Sequence, residues 1–199
     1  MVATDIDTRF LEALDFSNLE VRQQNIVTDA VEEAGFDLVH ARAVLMHLPE
    51  RQRALDRLVA ALKPGGWLLL EEGEYISHAL PDPRIDAAAG ELLAKHKRAL
   101  DIGGATSGID FYYGRRLFGD LLARGIADIG SEGRLEMVRG GSTPAKFLQR
   151  TGQQTRQQPQ ASAHMSETER DAFLTLLDDP ALLYLGPILM AVWGRKPLG

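Results

Sequence analysis

Short apolar runs alternate with amphipathic stretches over the first 75 residues. We predict strands at residues 2–5, 19–23, 36–41 and 67–72. Residues 49–62 instead repeat apolar side chains at helical spacing and begin with a proline, which predicts an amphipathic helix. Because strands that alternate with helices are typical of parallel sheets, the pattern favours an α/β fold with a mostly parallel sheet and flanking helices.

The remainder of the chain predicts further helices and a closing strand. Helices are expected at residues 8–15, 85–100, 115–124, 144–150 and 166–177. Ser166 followed by Glu169 is a capping box that marks the start of the last helix. Strands are expected within 126–138 and at 188–193, the final one antiparallel to the rest. The glutamine-rich residues 153–161 predict a surface loop.

The 199 residues predict one domain, since this length buries a single sizeable core. After Tyr75 the pattern loosens, and two prolines precede the helix at 85–100. Residues 75–108 are therefore expected to form a cap that selects the substrate, with the glycine-containing residues 103–108 as a flexible connector.

Composition excludes several classes of function. The net charge of −6 and the pI of about 5.4 argue against nucleic acid as a partner, which would need clustered Lys and Arg. The sequence has neither a signal-peptide pattern nor an apolar run of about 18 residues, so no membrane association is expected and a cytoplasmic location is predicted. The absence of cysteine excludes disulfides, thiolate zinc sites and cysteine nucleophiles.

Four segments carry the candidate chemistry. The first, Ala3-Thr4-Asp5-Ile6-Asp7, is a strand that ends in an acid, which nucleotide-binding α/β folds use to accept hydrogen bonds from ribose hydroxyls. The others are residues 21–29, residues 36–49 (FDLVHARAVLMHLP) and residues 62–72 (LKPGGWLLLEE). In order and spacing they resemble the class I S-adenosylmethionine-dependent methyltransferases, and the ending at 193–197 (WGRKP) is similar to that of many members. The resemblance implies a Rossmann-like fold, S-adenosylmethionine as cofactor and methyl transfer to a small-molecule acceptor.

The resemblance also implies a cofactor site. Its predicted residues are Asp5, Ile6, Asn25, Ile26, Ala41 and Arg42. Asp5 would hold the ribose, Asn25 would contact the adenine where many relatives have an aspartate, and the backbone at Ala41 and Arg42 would line the methionine moiety. The alternatives are a helix-capping Asp5, a turn residue at Asn25 and a surface ion pair at Arg42.

One part of the family pattern is missing. The glycine-rich loop that approaches the methionine moiety belongs before the acidic strand, where this sequence has only Met1. The sequence is therefore expected to be an N-terminally truncated member that lacks the strand between those ending at Asp5 and Ala41. Such a chain would bind the cofactor weakly or not at all, and its unpaired strands could recruit a second copy into a homodimer.

Residues for acceptor chemistry are sparsely indicated. The weak candidates for a general base are His47 and Tyr75, followed by His78, Tyr112 and Tyr113. The alternative for His47 is a structural partner of the helix start that follows it, and the alternative for Tyr112 and Tyr113 is packing. No metal site is predicted, because Glu71, Glu72 and Glu74 follow one another along a strand and neighbours point to opposite faces. The basic residues 95–98 could meet an anionic acceptor, with a solvated helix face as the alternative.

Two other functions compete with methyl transfer. A non-catalytic homologue that binds a partner protein is motivated by the missing glycine-rich loop. A nicotinamide-linked oxidoreductase is motivated by the acid after the first strand, but the sequence lacks the G-x-G-x-x-G pattern and the Lys or Tyr arrangement of hydride chemistry.

Overall fold

A computed structural model describes residues 1–154 and 164–198. The strands are β1 (Val2–Asp5), β2 (Glu20–Gln23), β3 (Phe36–Arg42), β4 (Leu62–Glu74), β5 (Leu80–Pro81), β6 (Ala127–Arg134), β7 (Met137–Arg139), β8 (Leu183–Leu185) and β9 (Ile188–Arg195). The α-helices are α1 (Arg51–Ala61), α2 (Ala87–Ser107), α3 (Leu117–Leu122), α4 (Thr143–Gln154) and α5 (Glu167–Leu176). Short 3-10 helices lie at Thr8–Phe10, Leu45–His47, Tyr75–Ser77 and Tyr113–Arg116.

The described strands form three sheets, one mixed, one parallel and one antiparallel. The main sheet has the order β3-β4-β9-β6, in which β3 and β4 are parallel and β9 runs antiparallel to both of its neighbours. In the main sheet β3, β4 and β6 therefore share one direction and β9 is reversed, which confirms the predicted antiparallel closing strand in an otherwise parallel sheet. Strands β1 and β2 form a separate parallel pair, while β5, β8 and β7 form an antiparallel sheet.

The main core lies between one face of the main sheet and the helices α1 and α3. Leu55 and Leu58 of α1 pack in the same cluster as Leu68 and Leu70 of β4 and Val192 of β9. Leu68 and Leu70 alternate along β4 with more accessible residues, as expected for a strand with one covered face. The amphipathic helix predicted for residues 49–62 is thus confirmed as α1.

A second core is formed by α2, α5 and the three-stranded sheet. It contains Leu93 of α2, Phe173 of α5, Val138 of β7 and Tyr184 of β8, all fully or almost fully buried. Its residues come from the predicted cap segment 75–108 and from the chain after β6. The predicted cap therefore shares its core with residues far along the sequence.

The helix predicted for residues 8–15 is wrong beyond its first turn. Only Thr8–Phe10 is helical, and Phe10 and Leu14 are 80% and 47% exposed. A segment this short is marginal as a helix unless an apolar face is buried, and here the apolar side chains have nothing to cover them.

The flexible connector predicted for residues 103–108 is also wrong. Helix α2 continues to Ser107, and Gly108 ends it at a φ of 80° in the left-handed region. Gly104 is required inside the helix because a Cβ there would lie 2.5 Å from the Phe111 ring. The polar loop predicted for 153–161 starts within α4, and residues 155–163 lie outside the described part of the chain.

The strands β1 and β3 each have an unpaired edge. Within residues 1–154 and 164–198, β1 pairs only with β2, and β3 pairs only with β4. Leu38 on β3 is 59% exposed, which combines an apolar side chain with free backbone donors and acceptors. No helix in these ranges is long and apolar enough to cross a bilayer.

We expect the substitution Leu38→Lys to reduce self-association, because a charge on an edge strand opposes pairing with another chain. The measurement is light scattering at increasing protein concentration. Leu122→Lys, on the exposed face of α3, is the matched control because its 63% exposed side chain lies on no strand edge. Equal scattering from both variants would show that the β3 edge does not drive association.

Candidate functional site

Asp5 ends β1 with its carboxylate exposed to solvent. One oxygen accepts the N–H of Asp7 at 3.0 Å, which fixes the side chain beside Ile6, itself 64% exposed. The cap of the following 3-10 helix is Asp7, whose carboxylate accepts the N–H of Arg9. Asp5 is therefore not needed as a helix cap and has a carboxylate available for a ligand.

Asn25 lies in a tight turn after β2. Its side-chain oxygen accepts the N–H of Val27 at 2.9 Å, and its own N–H donates to the Asp29 carboxylate at 2.8 Å. The hydrogen bond from the Asn25 N–H lowers the pKa of the Asp29 carboxyl group. The turn role considered for Asn25 is thus present, and the adenine contact stays a prediction, since an amide oxygen can accept a second hydrogen bond. Ile26 is half-buried against the main core.

The chain reverses direction at the end of β3. Ala41 is buried and Arg42 is exposed. Ala43 follows at a φ of 51°, a left-handed conformation that is unfavourable for alanine, and its N–H donates to the backbone oxygen of Glu71 at 2.8 Å. The ion pairs found in the described ranges do not include Arg42. Because its side chain is also exposed, the guanidinium is accessible to a ligand at the end of β3.

Glu72 is fully buried beneath this turn. Its carboxylate accepts the N–H groups of Val44, Leu45 and Met46 at 3.1, 2.7 and 3.3 Å. Burial raises its pKa, against the opposing effect of these bonds. Glu71 points to the other face, where it contacts His40 at 2.9 Å, so the alternation predicted for neighbouring acids is confirmed.

The candidate bases occupy different environments. His47 is exposed at the end of its 3-10 helix. The half-buried Tyr75 ring lies 4.9 Å from Phe111, and burial raises the pKa of its hydroxyl, which disfavours a phenolate base. Tyr113 is fully buried and donates to Asp120 at 2.7 Å, so it is a packing residue.

His78 is buried and contacts the half-buried His96. Its Nε2 lies 3.4 Å from that of His96, whose ring stacks on Phe173 at 4.2 Å. On the other side, the His78 ring lies 5.2 Å from Tyr75. Burial lowers the pKa of His78 to about 4 and that of His96 to about 3, and the charge of Lys97 acts in the same direction.

A cleft of about 310 Å³ opens between α2 and the segment that follows it. Its lining includes Arg51, Asp101, Asp110, Phe111, Tyr112 and Arg116. The N–H of Asp110 donates to the oxygen of Met46, and the N–H of Tyr75 donates to that of Phe111, so the cleft adjoins the ends of β3 and β4. A larger groove, of about 490 Å³, borders the start of α2 and has none of the predicted site residues in its lining.

The basic residues 95–98 are largely compensated. Lys95 pairs with Glu169 at 2.6 Å, while Lys97 contacts both Asp101, at 2.6 Å, and the Tyr112 hydroxyl, at 2.5 Å. These lysines are half-buried and already paired, so the run gives little support to a site for an anionic acceptor.

Sequence reasoning missed three buried or bridging groups. Glu72 was considered only as a metal ligand, although an acid inside an apolar strand already indicates a buried carboxylate. The contact of His96 with His78 and the ion pair between Arg115 and Glu74 join segments that are distant in sequence. No local pattern could have indicated either contact.

Comparison with known proteins relates the first third of the sequence to methyltransferases. A family model described as a methyltransferase domain matches residues 1–68. Methyltransferase str3 of Strobilurus tenacellus is 37% identical over 75 residues, which are 37% of this chain and 26% of that protein. The matched part thus spans about a quarter of the length of this relative.

Solved structures extend the similarity to the whole fold. The YcgJ protein of Bacillus subtilis has a TM-score of 0.57 at 14% identity, covering 100% of this chain and 82% of the other. Phosphoethanolamine N-methyltransferase 2 of Haemonchus contortus, solved with phosphomonomethylethanolamine and S-adenosylhomocysteine, has a TM-score of 0.51 at 15% identity, with 98% and 43% coverage. At these identities the similarity shows that the fold is shared.

Proposed function

We propose that this chain belongs to the class I S-adenosylmethionine-dependent methyltransferases and serves methyl transfer to a small-molecule acceptor. One observation carries the proposal: residues 1–68, which match the methyltransferase model, contain all six residues predicted to bind the cofactor. The Haemonchus contortus structure, with a small phosphorylated amine and S-adenosylhomocysteine bound, supports the same chemistry.

The described residues fit the adenosine half of this cofactor. The exposed Asp5 carboxylate can accept hydrogen bonds from ribose hydroxyls, and the exposed Ile6 offers an apolar surface beside an adenine ring. Asn25 and Ile26 lie in the turn after the neighbouring strand β2. The turn after β3, with Ala41 and Arg42, would contact the methionine half.

The acceptor would lie in the cleft lined by Phe111 and Tyr112, next to the ends of β3 and β4. When bound, S-adenosylmethionine supplies a methyl group on a sulfonium, which an acceptor displaces in line, so catalysis depends mainly on positioning. Phe111 can pack against an apolar part of the acceptor, and Asp101 and Asp110 can accept its hydrogen bonds. His47 is exposed by its accessible surface, although desolvation of its ring lowers its pKa and so weakens it as a base, whereas the half-buried Tyr75 has a raised pKa.

The experiment is a methyl-transfer assay with labelled S-adenosylmethionine and a panel of small amines, phenols and thiols. The readout is S-adenosylhomocysteine formed in the presence of each acceptor, compared with the same reaction without acceptor. Acceptor-dependent formation supports the proposal. A chain that binds S-adenosylhomocysteine and turns over no member of the panel would favour the partner-binding alternative.

The small-molecule acceptor, the homodimer and the cytoplasmic location stay predictions. The free edges of β1 and β3 support association between two copies. Sedimentation at several concentrations, with the Leu38→Lys variant beside the wild type, tests that association directly.

A further inference from the structure

We propose that Glu72 is the positioning residue that holds the turn after β3 in the shape the cofactor site requires. This inference rests on the proposed function, because the turn contributes Ala41, Arg42 and His47 to that site. Glu72 itself is buried and touches neither cofactor nor acceptor, so its effect is exerted through the backbone.

The carboxylate binds three successive N–H groups at the start of the Leu45–His47 helix. Oε1 accepts those of Val44 and Leu45, and Oε2 accepts that of Met46. The first N–H groups of a helix have no partner within it, and a buried donor without a partner is destabilising. The Glu72 side chain of β4 thus accepts hydrogen bonds from three N–H groups that would otherwise lack this acceptor.

The turn needs such support because its backbone is strained. Ala43 has a φ of 51°, and its N–H donates to the backbone oxygen of Glu71 on β4. Glu71 therefore fixes the first part of the turn through the β4 backbone, and Glu72 fixes the second part through its side chain. Without the carboxylate, we expect residues 43–46 to relax and move Arg42 and His47.

Charged and titratable groups face Glu72 from three neighbouring elements. Arg51 of α1 favours the charged carboxylate, while Tyr75 and Tyr113 present hydroxyl groups. Arg51 is fixed by bonds to the oxygens of Leu45 and Gly108, at 3.3 and 2.7 Å, so its charge stays near the turn. Since burial raises the pKa of Glu72, its carboxylate is protonated at a higher pH than the carboxylate of an exposed glutamate.

The first test is amide hydrogen exchange on the wild type, Glu72→Gln and the control Glu71→Gln. The control changes the same residue type one position away, on the opposite face of β4. In Glu72→Gln we expect exchange at residues 44–46 to rise about tenfold or more, while amides at Leu70 and Val192 stay protected. Unchanged exchange at 44–46 would overturn the proposal.

The second test is titration with S-adenosylhomocysteine, followed by NMR so that weak binding is measured. We expect Glu72→Gln to raise Kd about tenfold and to remove the loss of wild-type affinity that accompanies protonation of Glu72 in mild acid. A faster-exchanging turn with unchanged Kd, or a pH profile identical to the wild type, would overturn the proposal.

The two tests separate this inference from the proposed function. A wild type that binds no S-adenosylhomocysteine, with the turn still loosened in Glu72→Gln, would overturn the cofactor assignment together with the positioning role. If Glu72→Gln does not fold, wild-type protection factors, which are exchange rates corrected for the intrinsic rate at each pH, decide. Protection at residues 44–46 must fall on mild acidification more than protection at Val192, and an equal change at both places would overturn the proposal.

Discussion

The free energy of unfolding is expected to fall steeply between pH 6.5 and pH 5, because the buried His78 and the half-buried His96 are uncharged in the folded protein. Their folded pKa values, about 4 and about 3, lie below the ordinary 6.5, so the unfolded chain binds more protons in this interval. Stability is therefore lost as pH falls from 6.5 towards the folded values. The expected loss over the interval is about 1.5 kcal/mol for each histidine.

The pair has wide structural consequences because it joins the two cores. The rings of Phe111, Tyr75, His78, His96 and Phe173 form a continuous chain of contacts from the main core to the second core. The Nδ1 atom of His78 is buried and has no hydrogen-bond partner in the described part of the protein, so a proton added there would gain no acceptor.

The measurement is urea unfolding at several pH values for the wild type and the double variant His78→Phe/His96→Phe. Phenylalanine keeps the ring contacts and removes the titration, so the pH dependence should flatten. His164→Gln, an exposed histidine, is the control. The raised pKa of Glu72 makes an opposite contribution, because it favours the folded state as pH falls. Both proteins share that contribution, so the effect of the histidines is taken as the difference between the wild type and the double variant. Parallel curves for the wild type and the double variant would contradict the assignment.

A second large effect is expected on removing Arg115. Its Nε and Nη2 atoms donate to the Glu74 carboxylate at 2.6 and 2.5 Å, and Glu74 is only 4% exposed. Burial acts to raise the pKa of Glu74, but the bonds and charge of Arg115 outweigh it and hold the pKa below its ordinary value. Arg115→Met leaves a buried carboxylate without its cation, which we expect to destabilise the fold by about 2–4 kcal/mol.

Urea unfolding at neutral pH measures this effect. Adding Glu74→Gln to Arg115→Met should restore part of the stability, because glutamine removes the stranded charge and still accepts the N–H of Ile76. Arg84→Met, which removes an exposed partner of Asp82, is the control. A loss no larger than that of the control, or no recovery in the double variant, would show that Glu74 does not depend on Arg115.

Local pattern was sufficient for the elements of the main sheet. The alternation of residues 67–72 and the apolar stripe of residues 49–62 both arise from contacts within one strand or helix, and β4 and α1 are where these patterns place them. The capping box at Ser166 and Glu169 is equally local, and both of its hydrogen bonds are present. Such patterns depend only on residues close in sequence, so they can be recognised without the tertiary structure.

Elements that depend on distant contacts were harder to predict. Apolar spacing at residues 8–15 indicated a helix, yet the segment has no surface on which to bury it. Conversely, glycines at 103–108 indicated a flexible connector, yet packing of Gly104 on Phe111 keeps α2 helical. In the site, Asp5 could be assigned from its place after a strand. The role of Glu72 depends on a turn 26 to 28 residues away in sequence.

A titration with S-adenosylhomocysteine tests whether the end of β1 and the turns after β2 and β3 hold the cofactor. S-adenosylhomocysteine is added to the isotopically labelled chain, its Asp5→Asn variant and the control Asp15→Asn, an exposed aspartate outside the site. We expect weak, saturable shifts of the NMR signals of Asp5, Asn25 and Arg42, with affinity reduced about tenfold or more in Asp5→Asn alone. Equal affinity in both variants, or no saturable shift at these residues, would contradict it.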